Sequence, residues 1–231
     1  QTGNIKADIF ETQNNRPFAG ILQRVVEYGE RTYLVANTGK VEVVNSADFR
    51  SLGAVSGGVL ENCRDLTVAG DKLFISDWGA YDEAWANPHS FIAVVQGLEG
   101  GTVSNKIPVP SRPEGLIFTN NKILAACSAA GVIAVIDPEK EEIEAILEVH
   151  GVPFYFFEFA NNVYLYARTN EAMYFHPIST QDFSVRETVQ VNLEGAIYNG
   201  NFALGENGDI YVITTGVGDN KVAKVSLHSG E

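Results

Sequence analysis

The chain is 231 residues long, with 45% hydrophobic and 10% aromatic residues, enough to bury a substantial core and too apolar for a disordered segment. Its 16 Lys and Arg against 29 Asp and Glu leave a formal net charge of −13. That balance argues against a nucleic-acid partner, since little positive charge is present to neutralise phosphates. No apolar run approaches the ~20 residues of a membrane-spanning helix. The sequence opens on Gln1 with neither an initiator methionine nor a signal-peptide pattern, so a mature or trimmed chain is expected.

In chain order, Thr2-Gly3 and residues 5–10 read as a turn and an outer strand. A unit then recurs at about 40–50 residues, the period of propeller blades. It consists of an apolar run, a tight polar turn and a second β run. The turns are Gly29-Glu30-Arg31, Gly70-Asp71-Lys72, Asn120-Asn121-Lys122, Ala160-Asn161-Asn162 and Glu206-Asn207-Gly208-Asp209. The β runs after them are 32–36, 73–76, 123–127, 163–167 and 210–214. Residues 22–55 form one blade, with a third strand at 40–44 and an outer strand at 51–55. The next is 64–109, with 91–95 and 102–109 in those places.

The third unit is the clearest. Arg112-Pro113-Glu114-Gly115 leads into Leu116-Ile117-Phe118, then strands at 122–127, 132–136 and 143–149, with a type I turn at Asp137-Pro138-Glu139-Lys140. Residues 153–191 follow, with 173–177 and 185–191, and the last unit starts near Asn201 and ends after its third strand. No segment keeps apolar residues at helical spacing over three turns, so no helix is expected. The fold class is therefore all-β, a single β-propeller domain over 1–231 with four-stranded blades, of which five are visible. Either the N-terminal strand completes the last blade and closes a five-bladed ring, or the chain is part of a six- or seven-bladed one.

Cys63 and Cys127 show no metal-ligand spacing and are expected as small buried hydrophobes, with a bridge as the lesser alternative. The loop over 77–89 is the outlier: it lengthens its repeat and holds both tryptophans, Trp78 and Trp85, with Tyr81 between them. It reads either as an aromatic wall over a central depression or as a flap that buries Trp85 as a plug. A Ca²⁺ site from Asp77, Asp82 and Glu83 lacks the EF-hand spacing, and no metal is expected. Arg16-Pro17 and Arg112-Pro113 both precede an inner strand, at places read as equivalent in their repeats. Their guanidinium groups either point into the axial channel, towards a carboxylate, amide or phosphate, or bond the carbonyls of a neighbouring blade. Phe154, Tyr155, Phe156, Phe157 and Phe159 alternate along an inner strand and read as blade–blade packing. His89, His150, His176 and His228 have no metal-site spacing, and neither a nucleophile elbow nor a P-loop occurs. The expectation is a non-enzymatic chain without a cofactor.

Residues 112–149 resemble the YVTN/YncE-like propeller repeat, on Arg112-Pro113-Glu114-Gly115-Leu116 and Ile133-Ala134-Val135-Ile136-Asp137-Pro138. The stretches Ile9-Phe10-Glu11-Thr12-Gln13-Asn14-Asn15-Arg16-Pro17-Phe18, Tyr33-Leu34-Val35-Ala36-Asn37, Lys40-Val41-Glu42-Val43-Val44 and Ile75-Ser76-Asp77-Trp78-Gly79 resemble a Bacteroidetes cell-surface propeller family. The resemblance covers about residues 1–150. It implies a lipid-anchored outer-membrane lipoprotein at the cell surface, or a periplasmic protein. It also implies capture of a corrinoid (cobalamin) for a TonB-dependent transporter. The expected contacting set is Arg16, Trp78, Tyr81, Trp85, Arg112 and Tyr198. Two alternatives stand beside it: an adaptor propeller holding a partner protein, and a propeller hydrolase or lyase.

Overall fold

The structure, a computed structural model, describes residues 6–196, 202–215 and 220–227. Short runs of β-branched and aromatic residues, punctuated by turns that place Gly or Asn at positive φ, fold into successive antiparallel meanders. The chain divides into two compact units, 1–113 with 138–142, and 114–137 with 143–231.

The first unit opens with a helix, α1 (Ile9–Asn14), followed by β1 (Leu22–Tyr28), β2 (Arg31–Ala36), β3 (Lys40–Asn45) and β4 (Ser51–Ser56). A second meander comprises β5 (Cys63–Ala69), β6 (Lys72–Asp77), β7 (Phe91–Gln96) and β8 (Gly101–Pro108). Its outer strand joins that of the first through a short parallel pairing, Val55 with Gly101 and Ser56 with Thr102, which merges the eight strands into one sheet. Gly53 permits this approach, because a Cβ there would lie 2.0 Å from the Glu99 carbonyl oxygen. Residues 33–36 of β2 and 73–76 of β6 are buried on both faces, which is why these runs are continuously apolar or small rather than alternating. Tyr33, Val35, Val41 and Val43 share one core with Leu66, Leu73, Ile75 and Val95, and the Tyr33 hydroxyl donates to the Leu98 carbonyl at 3.0 Å.

The second unit carries a meander of β9 (Pro113–Thr119), β10 (Lys122–Cys127), β11 (Val132–Asp137) and β12 (Glu142–Glu148). The next is β13 (Val152–Phe159), β14 (Asn162–Arg168), β15 (Met173–Ile178) and β16 (Val189–Val191). A three-stranded sheet follows, β17 (Phe202–Leu204), β18 (Asp209–Thr215) and β19 (Asn220–Ser226). The aromatic run of β13 packs as expected: Phe157 stacks on Tyr164 at 5.4 Å, and Phe157 and Tyr166 both contact Phe202.

The structure corrects the N-terminal reading. Residues 6–8 form no strand and Ile9–Asn14 is helical, so the expectations of a strand over 5–10 and of no helix both fail; residues 1–5 lie outside the described ones. Phe10 inserts among Phe18, Leu34, Val44 and Phe49, while the Asn14 side chain bonds the Phe49 carbonyl at 2.9 Å and the Ser51 amide at 2.7 Å. These tertiary contacts hold one turn and a half that its own sequence would not. The outer strand expected at 185–191 shortens to β16, with Val185 making only a single bridge to Ile178. Cys63 and Cys127 are buried and free. Among the described residues no helix is long and apolar enough to cross a membrane.

Candidate functional site

The most elaborately built loop of the first unit connects β6 to β7, and it is braced at its root by Asp77. That carboxylate, fully buried at the end of β6, accepts the backbone N–H groups of Glu61 (2.8 Å), Asn62 (2.9 Å) and Gly79 (2.7 Å). The Cys63 thiol lies 3.5 Å from it, and burial with the adjacent carboxylate pushes that thiol well above the usual range. Gly79 turns the chain at φ +71°, where a Cβ would stand 2.6 Å from the His89 carbonyl oxygen. The Asn62 amide donates to the Gly79 carbonyl at 2.8 Å, and buried Asn87 reaches the same oxygen at 3.2 Å.

The tip is equally fixed. Asp82 Oδ1 accepts the N–H groups of Ala84 (2.9 Å) and Ala86 (2.8 Å), and the Asp82 amide donates to the Ala86 carbonyl at 2.9 Å. This closes a turn that carries Trp85 at φ +57°, a left-handed conformation unusual for a bulky residue. Arg112, itself at φ +59°, holds the turn from the side: its Nε donates to Asn87 Oδ1 at 2.8 Å and its Nη2 to the Trp85 carbonyl at 2.9 Å. The Trp85 indole is left 76% exposed, with Tyr81, 44% exposed, 5.8 Å away at a tilt of 55°.

Trp78 lies on the covered side of the same loop. The Arg64 guanidinium carbon sits 4.5 Å from its ring centroid and that of Arg112 at 5.0 Å. Its indole nitrogen is buried and has no hydrogen-bond partner among the described residues.

Of the residues expected to act together, Trp78, Tyr81, Trp85 and Arg112 belong to this one constellation. The exposure of Trp85 overturns the reading of it as a buried plug. Arg112 bonds a carbonyl of the preceding blade's loop, one of its two expected roles. Arg16 lies elsewhere in the unit, in a bidentate pair with buried Glu42 at 2.6 and 2.7 Å, with Lys40 3.1 Å from the same carboxylate. Nor are the two Arg-Pro pairs equivalent: Pro113 starts β9, whereas Pro17 precedes β1 by several residues. Tyr198 lies outside the described residues. Both oxygens of Asp77 and Oδ1 of Asp82 accept backbone amides, and among the described residues no three His, Cys, Asp or Glu side chains cluster as metal ligands.

Sequence reasoning missed Arg64 and Asn87. Asn87 had a signal, since Asn-Pro favours turn initiation; Arg64 had none beyond its place near the start of an inner strand. In the second unit a shallow recess of about 450 Å³ opens between Asn170, Glu171 and residues 192–196.

The sequence matches no protein-family model and no curated protein. Its fold does match solved structures. It is similar to Kuenenia stuttgartiensis hydrazine synthase with a TM-score of 0.65 and 16% identity, over 98% of this chain and 69% of that one. It is similar to the WD40 β-propeller domain of Doa1 at a TM-score of 0.60 and 11% identity, over 86% of this chain and 62% of that one. The Neurospora crassa Pan2 WD40 domain matches at a TM-score of 0.58 and 12% identity, over 89% of this chain and 65% of that one. The chain thus has the β-propeller fold and spans about two thirds of the length of these structures.

Proposed function

We propose that this propeller is a non-catalytic binding scaffold that docks a partner protein on the 77–89 loop, with the Trp85 indole as its anchor. The observation that carries this is a 76% exposed tryptophan on a backbone that Asp82 and Arg112 hold rigid. An aromatic ring loses little conformational entropy on docking when its backbone is already fixed, and Trp, Tyr and Arg dominate interface energetics. Residues kept at left-handed φ, as Trp85 and Arg112 are, cost about 1–3 kcal/mol each and concentrate at binding and switch sites. A ring that projects suits an apolar pocket on another protein better than it suits the wall of a cavity. The side chains assembled here are rings, guanidinium groups and amides, with the Asp77 and Asp82 carboxylates bonded to backbone N–H groups, and their chemistry is contact and hydrogen bonding.

The family resemblance supplies the setting: the outer-membrane surface or periplasm, with a TonB-dependent transporter as the partner. A corrinoid is the second reading, favoured by the paired flat faces of Tyr81 and Trp85. The test is site-specific photocrosslinking from position 85 in a cell that carries a candidate transporter, with exposed Ile21 as the control position, beside calorimetric titration with cyanocobalamin. A discrete adduct from position 85 only supports docking. Saturable heat that Trp85→Ala abolishes identifies the corrinoid. Neither adduct nor heat, in folded protein, overturns both readings.

A further inference from the structure

The rings of Phe10, Phe18, Trp78, Phe91 and Phe154 each carry a Lys or Arg group between 4.0 and 5.7 Å from the centroid. Tyr81 and Trp85 differ: both are exposed, and among the described residues no Lys or Arg group lies over either ring. Their centroids are 5.8 Å apart at a tilt of 55°, so the rings diverge instead of covering each other's faces. The turn between them is closed twice, by the Trp85 N–H on the Asp82 carbonyl at 3.0 Å and the Asp82 N–H on the Ala86 carbonyl at 2.9 Å. The loop over 77–89 holds Asp77, Asp82 and Glu83 and neither Lys nor Arg. Asp77 is buried, whereas Glu83 is exposed and has no ion pair among the described residues.

The geometry points to a cation–π site, in which Tyr81 and Trp85, with Glu83 between them in the turn, take an organic ammonium or guanidinium group. A cation within about 6 Å of a ring centroid is drawn to the negative face of the ring, and two rings 5.8 Å apart can share one. The Glu83 carboxylate adds charge of the opposite sign. A methylated ammonium or a guanidinium gives up water more readily than a compact inorganic cation does, which suits a site made of ring faces. Arg112 does not fill it, since Asn87 and the Trp85 carbonyl hold its Nε and Nη2 and its guanidinium carbon lies 5.0 Å from the Trp78 centroid. The closed turn sets the spacing of the two rings before a ligand arrives. The assignment deepens the docking reading and rests on it for one source of the cation, a Lys or Arg side chain at the rim of the pocket that receives Trp85; a free quaternary ammonium compound is the other.

The chain has two tryptophans, so its NMR spectrum carries two indole N–H signals, and Trp85→Phe identifies which belongs to Trp85. That signal is followed against choline chloride at constant ionic strength, and against 3,3-dimethyl-1-butanol, which has the same shape without the charge. The expected result is a saturable shift with choline at a midpoint about threefold or more below that of the alcohol. Tyr81→Ala should raise the choline midpoint about threefold or more, Tyr81→Phe should largely keep it, and Glu83→Gln should raise it about twofold. A parallel titration with a blocked tripeptide carrying a central arginine distinguishes the sources. Tighter peptide binding assigns a side chain of the docked protein, and tighter choline binding assigns a free quaternary ammonium compound. No saturable shift with either cation, an alcohol that binds as tightly as choline, or a choline midpoint that Tyr81→Ala leaves intact overturns the proposal. The crosslink from position 85 is read separately, so its loss beside an intact choline titration removes docking and leaves the cation site.

Discussion

Glu42 carries a carboxylate at 2% exposure inside a sheet, and its charge survives there because Arg16 and Lys40 both reach it. Burial alone would raise its pKa, but the hydrogen bonds from Arg16 and Lys40 outweigh it and the net shift is downward. The two ends of this pair are unequal: Arg16 is 41% exposed and can return to water, whereas Glu42 cannot. Arg16→Ala should therefore cost about 3 kcal/mol, since it leaves a buried charge under-compensated, and Glu42→Gln less, about 1–2 kcal/mol. Urea unfolding of both variants at pH 7 checks the order; the reverse order would mean that the pair is held by its packing. A depressed carboxylate contributes stability above its ordinary pKa of 4.5 that is lost as pH falls through the lower folded value. The gap between wild type and Glu42→Gln should accordingly close in that acid range. None of this pairing was legible in the sequence. Arg16 and Glu42 are 26 residues apart, and only the placement of α1 and β3 brings them together.

At the scale of elements, the strands were legible and their exceptions were not. Apolar runs set off by Gly-Glu, Gly-Asp, Asn-Asn or Asp-Pro identify β2, β6, β10, β11 and β14 to within a residue, because turn chemistry and burial are both local signals. The helix α1 escaped that logic, being held by Phe10 in a pocket of residues up to 39 positions away. The 77–89 loop stood out by its length and its tryptophans. Which tryptophan is covered depends on Arg112, 25 residues from Asn87 and 27 from Trp85, so no local pattern could say. Asp82→Ala removes the acceptor of the Ala84 and Ala86 amides while the root at Asp77 stays intact. Global stability should change by less than ~1 kcal/mol, since the tip is exposed. Protease nicking within 82–86 should accelerate and the crosslink from position 85 should weaken. Unchanged proteolysis would show that Arg112 alone fixes the tip.

For the molecule as a whole, 11–16% identity to other propellers means that the fold resides in a pattern of turns and buried runs shared with little in common residue by residue. One buried group ties overall stability to mildly acidic pH. His176 Nε2 lies 2.8 Å from the His150 carbonyl and must donate to it, so in the neutral ring Nδ1 accepts from the Thr188 hydroxyl at 2.7 Å. Burial lowers its pKa, partly opposed by the His150 carbonyl and aided by the His150 ring. The stability linked to this shift is present above the ordinary value of 6.5 and lost as pH falls through the folded one. The wild-type melting temperature should therefore decline from pH 7 to pH 5 more steeply than that of His176→Gln. Parallel slopes would exclude His176 as the cause.

The two buried thiols have a practical consequence. Cys63 lies in the first compact unit and Cys127 in the second, each at 0% exposure, and burial pushes the Cys127 thiol up to about 12 and Cys63 higher still. An alkylating reagent meets neither a thiolate nor an open path in the native protein, so modification has to wait for the surrounding strands to part. Mass-spectrometric alkylation timing, read separately at each sulfur, should then clock the opening of each unit with no label introduced. Rapid modification of either thiol under native conditions would mean that its blade breathes. If both stay silent, a single cysteine placed at position 85 can be tagged without background.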